Sequence, residues 1–229
     1  MAETKNRKVA VCWSSGKDAC LALYRMLKEN KNVACLLSMV SEKDERNHAH
    51  GIRLEILKSQ AEALQIPLVL VDSAGNYEES LIRALTKLKE ELGITEIAFG
   101  SLYSQEDRKW NEEIANKAGL HPIFPVWISP EESLKLLDEF ISLGFSAVVC
   151  RASEKHFDSS WAGRYLDSSL FDEIQKLDLC VMGELGEYHT FVLDGPIFHK
   201  KVNLIKSGVV LNSGLWSLDV QQCQLVDKG

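Results

Sequence analysis

Apolar and polar positions fall in blocks along this chain. Residues 8–13 are nearly all apolar, the pattern of a strand buried on both faces. A polar cluster, Ser14-Ser15-Gly16-Lys17-Asp18, ends that run. From Lys17 to residue 30 the period changes, with Cys20, Leu23, Tyr24 and Leu27 at helical spacing. "NVACLLSMV" (32–40) predicts a second buried strand, and the polar "SEKDERNHAH" (41–50) interrupts it. "GIRLEILKSQAEALQ" (51–65) reads as an amphipathic helix and "IPLVLVD" (66–72) as a strand. In "NYEESLIRALTKLKEELG", Leu81, Leu85, Leu88 and Leu92 form one helical face. Asn76 suits its N-cap and Gly93 its end. A strand at 95–100, a helix at 104–119 and an extended, Pro-punctuated 120–127 follow.

This alternation predicts an α/β fold: a Rossmann-like parallel sheet with helices on both faces. Ligands on such sheets bind beyond the carboxyl ends of the strands. The opening cluster, the 38–50 loop and the Gly100–Arg108 loop all leave carboxyl ends, so they are expected on one rim. After Trp127 the texture changes. "SPEESLKLLDEFISLG" (129–144) starts a helix with Ser129, Pro130 and Glu132 placed as a capping box. "FSAVVCRA" (145–152) is a strand, "DSSLFDEIQKL" a short helix, and "GELGEYHTFVLDGPIF" (183–198) a glycine-rich turn feeding a strand. The tail shows short β-like runs. Two domains are expected: 1–127, carrying the parallel sheet, and 128–229, a smaller α+β domain.

The chain has 229 residues, a net charge of -7 and 45% hydrophobic residues. The acidic balance argues against a nucleic-acid partner or an anionic membrane. No apolar run approaches the ~18 residues of a membrane span. "MAETKNRKVAVCW" lacks the apolar core of a signal peptide, so a cytoplasmic location is expected. The six cysteines form no C-x-x-C and no zinc-finger spacing, and read as reduced thiols.

The opening cluster sits where a strand turns into a helix. Free N–H groups and the helix dipole favour an anion there. Small residues let a phosphate approach, and Lys17 adds positive charge. A Walker A loop is excluded twice: Val11 stands where its first glycine belongs, and Asp18 follows the lysine in place of Ser or Thr.

The cluster instead resembles S-G-G-x-D-S, the pyrophosphate loop of N-type ATP pyrophosphatases, with Ser15 replacing a glycine and Ala19 the closing serine. "WSSGKDACLAL" (13–23), "AHGIRLEILKSQAEALQIPLV" (49–69), "IAFGSLYSQEDRKWNEEIANKAGL" (97–120), "PVW" (125–127) and "GELGEYHTFVLDGPIF" (183–198) extend the likeness. The chain resembles the diphthine–ammonia ligase family of these pyrophosphatases and its bacterial relatives. That resemblance implies an adenine nucleotide alpha hydrolase-like fold and an ATP-dependent ligase that forms AMP and pyrophosphate. It would adenylate a carboxylate-bearing substrate, a small molecule or a modified protein side chain, and amidate it with ammonia. ATP would lie on Ser14, Ser15, Gly16, Lys17, Asp18 and Ala19, with adenine near Ser38 and Met39 and further contacts from Gly100 and Arg108. Lys17, Asp18 and Glu187 would be catalytic, and Asp18 would hold Mg2+. The acceptor would meet His48, His50, Arg53, Glu184, Gly186, Glu187, Tyr188, His189 and Thr190. Diphthamide-forming members read G-E-Y-E-T where this chain has Gly186-Glu187-Tyr188-His189-Thr190, so an imidazole replaces a carboxylate where the substrate is expected.

Plainer readings stand beside these. His48 and His50 suit a solvated loop, and Arg53 and Arg108 suit the surface, with Glu112 one turn beyond Arg108 as a partner. Glu184 and Glu187 suit an acidic turn. Arg164 is a weaker candidate, and Trp127 and Trp161 suit packing. Two other functions remain open: a tRNA-modifying adenylating enzyme of the same fold, and an adenine-nucleotide sensor without turnover. A homodimer is compatible with the sequence.

Overall fold

A computed structural model describes residues 7–73 and 75–228. The first six residues, on which the reading of the N-terminus partly rests, lie outside the described set. Among the described residues the chain forms two compact units. The first comprises the chain up to Ser14, then Asp18–His48 and Ile66–Ile128. The second comprises Ser15–Lys17, Ala49–Gln65 and the chain from Ser129 onward.

The elements run β1 (Lys8–Cys12), α1 (Lys17–Lys28), β2 (Asn32–Ser41), β3 (Arg46–Asn47), α2 (Leu54–Leu64), β4 (Leu68–Asp72), α3 (Tyr77–Leu92), β5 (Ile94–Ala98), α4 (Gln105–Lys117) and β6 (His121–Ile123). Then come α5 (Ser133–Ser142), β7 (Ser146–Ser153), α6 (Ser168–Ile174), β8 (Tyr188–Asp194), β9 (Lys200–Asn212) and β10 (Leu215–Asp227).

In the first unit β4, β2, β1, β5 and β6 pair in that order, all parallel. The short β3 turns back antiparallel on the end of β2. Val9, Ala10 and Val11 are wholly buried, so β1 is covered on both faces as its apolar run predicts. Alternate residues Ala10, Cys35, Leu37, Met39, Ile97 and Phe99 form one core with Leu81, Leu85 and Leu88 of α3 and Ile114 and Ala115 of α4. Burying each large side chain there contributes about 1.5–3 kcal/mol. Leu92, expected on the same face, is exposed at the end of α3. The caps are as predicted: Asn76 Oδ1 accepts from Glu79 N–H at 3.2 Å, and Gly93 ends the helix at φ 68. Ser104 caps α4 by accepting from Asp107 N–H.

In the second unit β8, β7, β10 and β9 form an antiparallel sheet. The capping box forms: Ser129 N–H donates to Glu132 at 2.9 Å, beginning a short 3-10 turn that leads into α5. The tail departs from its expected short runs. β9 and β10 are 13 residues each and make one long hairpin through Ser213–Gly214, both at positive φ. The helix α2 clusters with this unit and packs on β9 and β10. Residues 49–65, expected in the N-terminal domain, therefore belong by contact to the unit built mostly from C-terminal chain. The apolar face of α2 has its partners there, which its own periodicity could not reveal.

No helix among the described residues is long and apolar enough to cross a membrane. Among the described residues none of the six cysteines forms a disulfide.

Candidate functional site

Within the first unit, sheet order reverses between β1 and β5, the topological switch point where open α/β sheets place their ligands. The β5–α4 loop comes up against the first turn of α1 there. A Cβ on Gly100 would stand 3.1 Å from Ala19 N and 3.2 Å from the Asp18 carbonyl carbon. Backbone lies on the far side of that contact, so Gly100 is required by close approach. Asn47 Nδ2–H donates to Ser14 O at 3.0 Å, fixing the chain as it leaves β1. At the end of β2, Ser38 and Met39 are buried, and Ser38 Oγ has no hydrogen-bond partner among the described residues.

Other candidates in this unit have defined neighbours. The Arg108 guanidinium lies over Phe124 and Trp127, at 4.8 and 4.7 Å from the ring centroids. It also donates to Glu112 at 2.8 Å, the i,i+4 partner expected for a surface arginine. His48 contacts Ser73 Oγ and meets the Tyr77 ring edge-on. Asp18 occupies the first turn of α1, where a carboxylate complements the helix dipole.

Within the second unit, Ser15, Gly16 and Lys17 are held by groups far along the chain. Lys17 N–H donates to Thr190 Oγ1 at 3.0 Å. Ser15 O accepts from Val192 N–H at 3.1 Å and from Gln60 Nε2 at 3.0 Å. Gln60, fully buried, gives its other proton to Val192 O at 2.7 Å. Ser15 adopts φ 78, a left-handed backbone that favours glycine, at the position where the pyrophosphate-loop signature has glycine. A Cβ on Gly16 would lie 2.3 Å from His50 Cε1, so the imidazole packs directly on that glycine.

His50 Nδ1 lies 2.7 Å from Thr190 O. A carbonyl only accepts, so this nitrogen carries the proton and Nε2 keeps its lone pair. The His50 and His189 rings are 4.9 Å apart. Burial, then His189, Lys17 and Arg151, hold the His50 imidazole well below its ordinary value, against the pull of its Thr190 bond. His189 is held down at about 4, by burial first and then by Lys17 and Arg151. Both rings are neutral at physiological pH. The Lys17 ammonium sits 5.1 Å from the Tyr188 ring centroid.

Glu187 has a structural occupation. Its carboxylate accepts from Cys180 N–H at 3.0 Å and Leu185 N–H at 2.9 Å, closing the turn before β8. Gly186 passes through that turn at φ 87, and Glu184 is half-buried in it. Arg53 makes a two-pronged contact with Asp219, both bonds at 3.1 Å. Arg164 pairs with Glu173 and lies over Trp161.

The structure thus gathers Ser15, Gly16, Lys17, His50, Tyr188, His189 and Thr190 in one unit, and Ser14, Asp18, Ala19, Ser38, Met39 and Gly100 in the other. His48 falls to the first unit and His50 to the second. Three participants escaped the sequence reading. Gln60 is a lone amide on the apolar face of α2, between Ile56, Leu57 and Ala61, and that placement was its signal. Arg151 is a lone cation inside the apolar strand β7. Asn47 had no signal beyond a polar loop.

Comparison with known proteins now bears on these parts. The profile of the diphthamide synthase N-terminal domain matches residues 7–122, and that of the C-terminal domain matches 132–225. The chain belongs to the diphthamide synthase family. Among its relatives, the diphthine–ammonia ligase of Mus musculus is 25% identical over 90% of this chain and 86% of its own length. The diphthine–ammonia ligase of Homo sapiens is 26% identical with the same coverage. The Schizosaccharomyces pombe enzyme of that name is 25% identical over 90% of this chain but only 37% of its own. The family match spans both units, so the resemblance seen in the sequence motifs extends through the second half of the chain.

Proposed function

We propose that this protein is an ATP-dependent ligase that converts a carboxylate to its amide with ammonia, releasing AMP and pyrophosphate. Membership of the diphthamide synthase family over both halves of the chain carries this reading. A carboxylate oxygen of the acceptor attacks the α-phosphorus, the bond to the β-phosphate breaks, and pyrophosphate leaves. Ammonia then attacks the acyl carbon, AMP departs with the C–O electron pair, and nitrogen loses a proton. In this reading the backbone of residues 14–19 cradles the pyrophosphate and Lys17 offsets its growing charge.

In the first unit, the unsatisfied Ser38 hydroxyl beside Met39 supports adenine binding there, since a buried hydroxyl without a partner suits a ligand's polar edge. Gly100 lets the β5–α4 loop pack closely against the first turn of α1 at the switch point. Asp18 would hold Mg2+, whose bound form screens phosphate charge. In the second unit His50, Tyr188, His189 and Thr190 are assigned to the acceptor side. The bonds made by Glu187, Arg53 and Arg108 support positioning roles for those three.

Products decide this reading. With ATP, ammonium and a panel of carboxylates, AMP and pyrophosphate are expected, and ADP with phosphate as products would sink the idea. Asp18→Ala is expected to lower kcat by about 100-fold or more, as losing metal and charge stabilisation does. Full activity in that variant removes the loop from the chemistry.

A further inference from the structure

The pyrophosphate-loop signature closes on a serine hydroxyl that this chain lacks, because Ala19 stands there. A hydroxyl from far along the chain reaches the loop instead. Within the second unit two bonds tie residues 15–17 to β8 in an antiparallel sense. Ser15 O accepts from Val192 N–H at 3.1 Å, and Lys17 N–H donates to Thr190 Oγ1 at 3.0 Å. Thr190 is held from its other sides as well. It is wholly buried, it lies directly opposite Val149 across the β7–β8 pair, and its carbonyl accepts from His50 Nδ1 at 2.7 Å. A β-branched side chain has few rotamers, and this packing leaves it little room to change.

A hydroxyl has one proton to give and two lone pairs to offer. Thr190 Oγ1 spends a lone pair on Lys17 N–H, so its own proton points away from that nitrogen. Among the described residues no group accepts that proton. Ser15 Oγ, also wholly buried, has no hydrogen-bond partner of either kind there. Buried hydroxyls ordinarily find partners. Two buried O–H groups with protons to give therefore sit at the N-terminal end of α1, where the helix dipole already favours negative charge. The bond from Lys17 N–H polarises the Thr190 hydroxyl and makes it a better donor. The ligand that suits this place is rich in acceptors and negatively charged, as a phosphate group is.

We propose that Thr190 is a phosphate-binding residue of the loop: its hydroxyl accepts from Lys17 N–H and donates to an oxygen of the nucleotide's pyrophosphate, taking the part of the missing closing serine. The identity of the ligand rests on the ligase reading above. Thr190 stays on the acceptor strand, so β8 touches the phosphates as well as the acceptor and ties the positions of the two substrates together.

The test uses the full chain with two probes, magnesium pyrophosphate and adenosine, by titration calorimetry. Thr190→Val keeps the shape and removes the hydroxyl. It should weaken pyrophosphate at least about tenfold, the usual worth of a hydrogen bond to a charged group, and move adenosine by less than about twofold. Thr190→Ser should hold pyrophosphate within about threefold of the native chain. Thr190→Val also takes the acceptor from Lys17 N–H, so a crystal structure of the native chain with pyrophosphate is read beside it. A phosphate oxygen within about 3 Å of Thr190 Oγ1 is expected. Water alone on that hydroxyl, a pyrophosphate bound out of its reach, no binding of pyrophosphate, an unchanged affinity in Thr190→Val, or an equal loss for adenosine would each overturn the proposal. AMP release is measured separately. If no carboxylate yields AMP from ATP while the hydroxyl contact is found, the ligase reading fails and the contact stands. If AMP forms and pyrophosphate avoids Thr190, the reverse holds.

Discussion

Ser15 carries two local costs. It holds a left-handed backbone at φ 78, and its buried hydroxyl has no hydrogen-bond partner among the described residues. Glycine removes both, though it adds freedom to the unfolded chain. Ser15→Gly should therefore raise stability by up to about 1 kcal/mol, read as a higher denaturant midpoint at unchanged slope. A lower midpoint would show that the hydroxyl makes a contact worth more than the strain. Gly16 is the opposite case, because its Cβ position is filled by the His50 ring and no side chain fits. The sequence offers the small residues of 14–16 openly, but it does not distinguish the serine that is tolerated from the glycine that is required. That difference lies in φ and in what packs on each position.

At the scale of elements, α2 depends on one polar residue. Gln60 ties the helix both to Ser15 O and to Val192 O. Gln60→Leu keeps the volume roughly but deprives two buried carbonyls of a donor, so a loss of about 1–3 kcal/mol is expected in equilibrium unfolding. An unchanged midpoint would mean water takes over both bonds. The helices and parallel strands were legible because their periods are strong: the Leu81, Leu85 and Leu88 stripe, the Asn76 and Gly93 caps and the doubly buried β1 all formed. The β9–β10 hairpin was not, since its outer strand leaves Ile205, Val209, Val210 and Leu211 about half exposed and Gly208 interrupts the apolar run. The Ser213–Gly214 dipeptide was the available hairpin signal. Partners of Arg53 and Glu187 were equally out of reach, because Asp219 lies far along the chain and the bonds to Cys180 and Leu185 are made to backbone N–H groups.

At the scale of the whole molecule, two imidazoles, the buried His50 and the partly exposed His189, make stability depend on pH. His189 titrates at about 4 in the folded chain, and His50 is also held below its ordinary value of 6.5. Between about pH 4 and 6.5 the unfolded chain binds more protons than the folded one, so stability is complete above that window and falls as pH drops through it. The slope should reach about 1.4 kcal/mol per pH unit for His189 alone, and His189→Asn should flatten it by that share. A variant with the native slope would place the effect elsewhere. The anchoring of the loop has a further consequence during synthesis. Lys17 meets Thr190 across 173 residues, and Gln60 meets Val192 across 132. Neither contact can form until β8 has left the ribosome, by which time the strands of the first sheet have long been available to pair. Such distant pairings close late and slowly. The newborn chain would therefore carry the 15–17 turn without its anchors through most of its translation, and the turn is completed only after Thr190 and Val192 emerge.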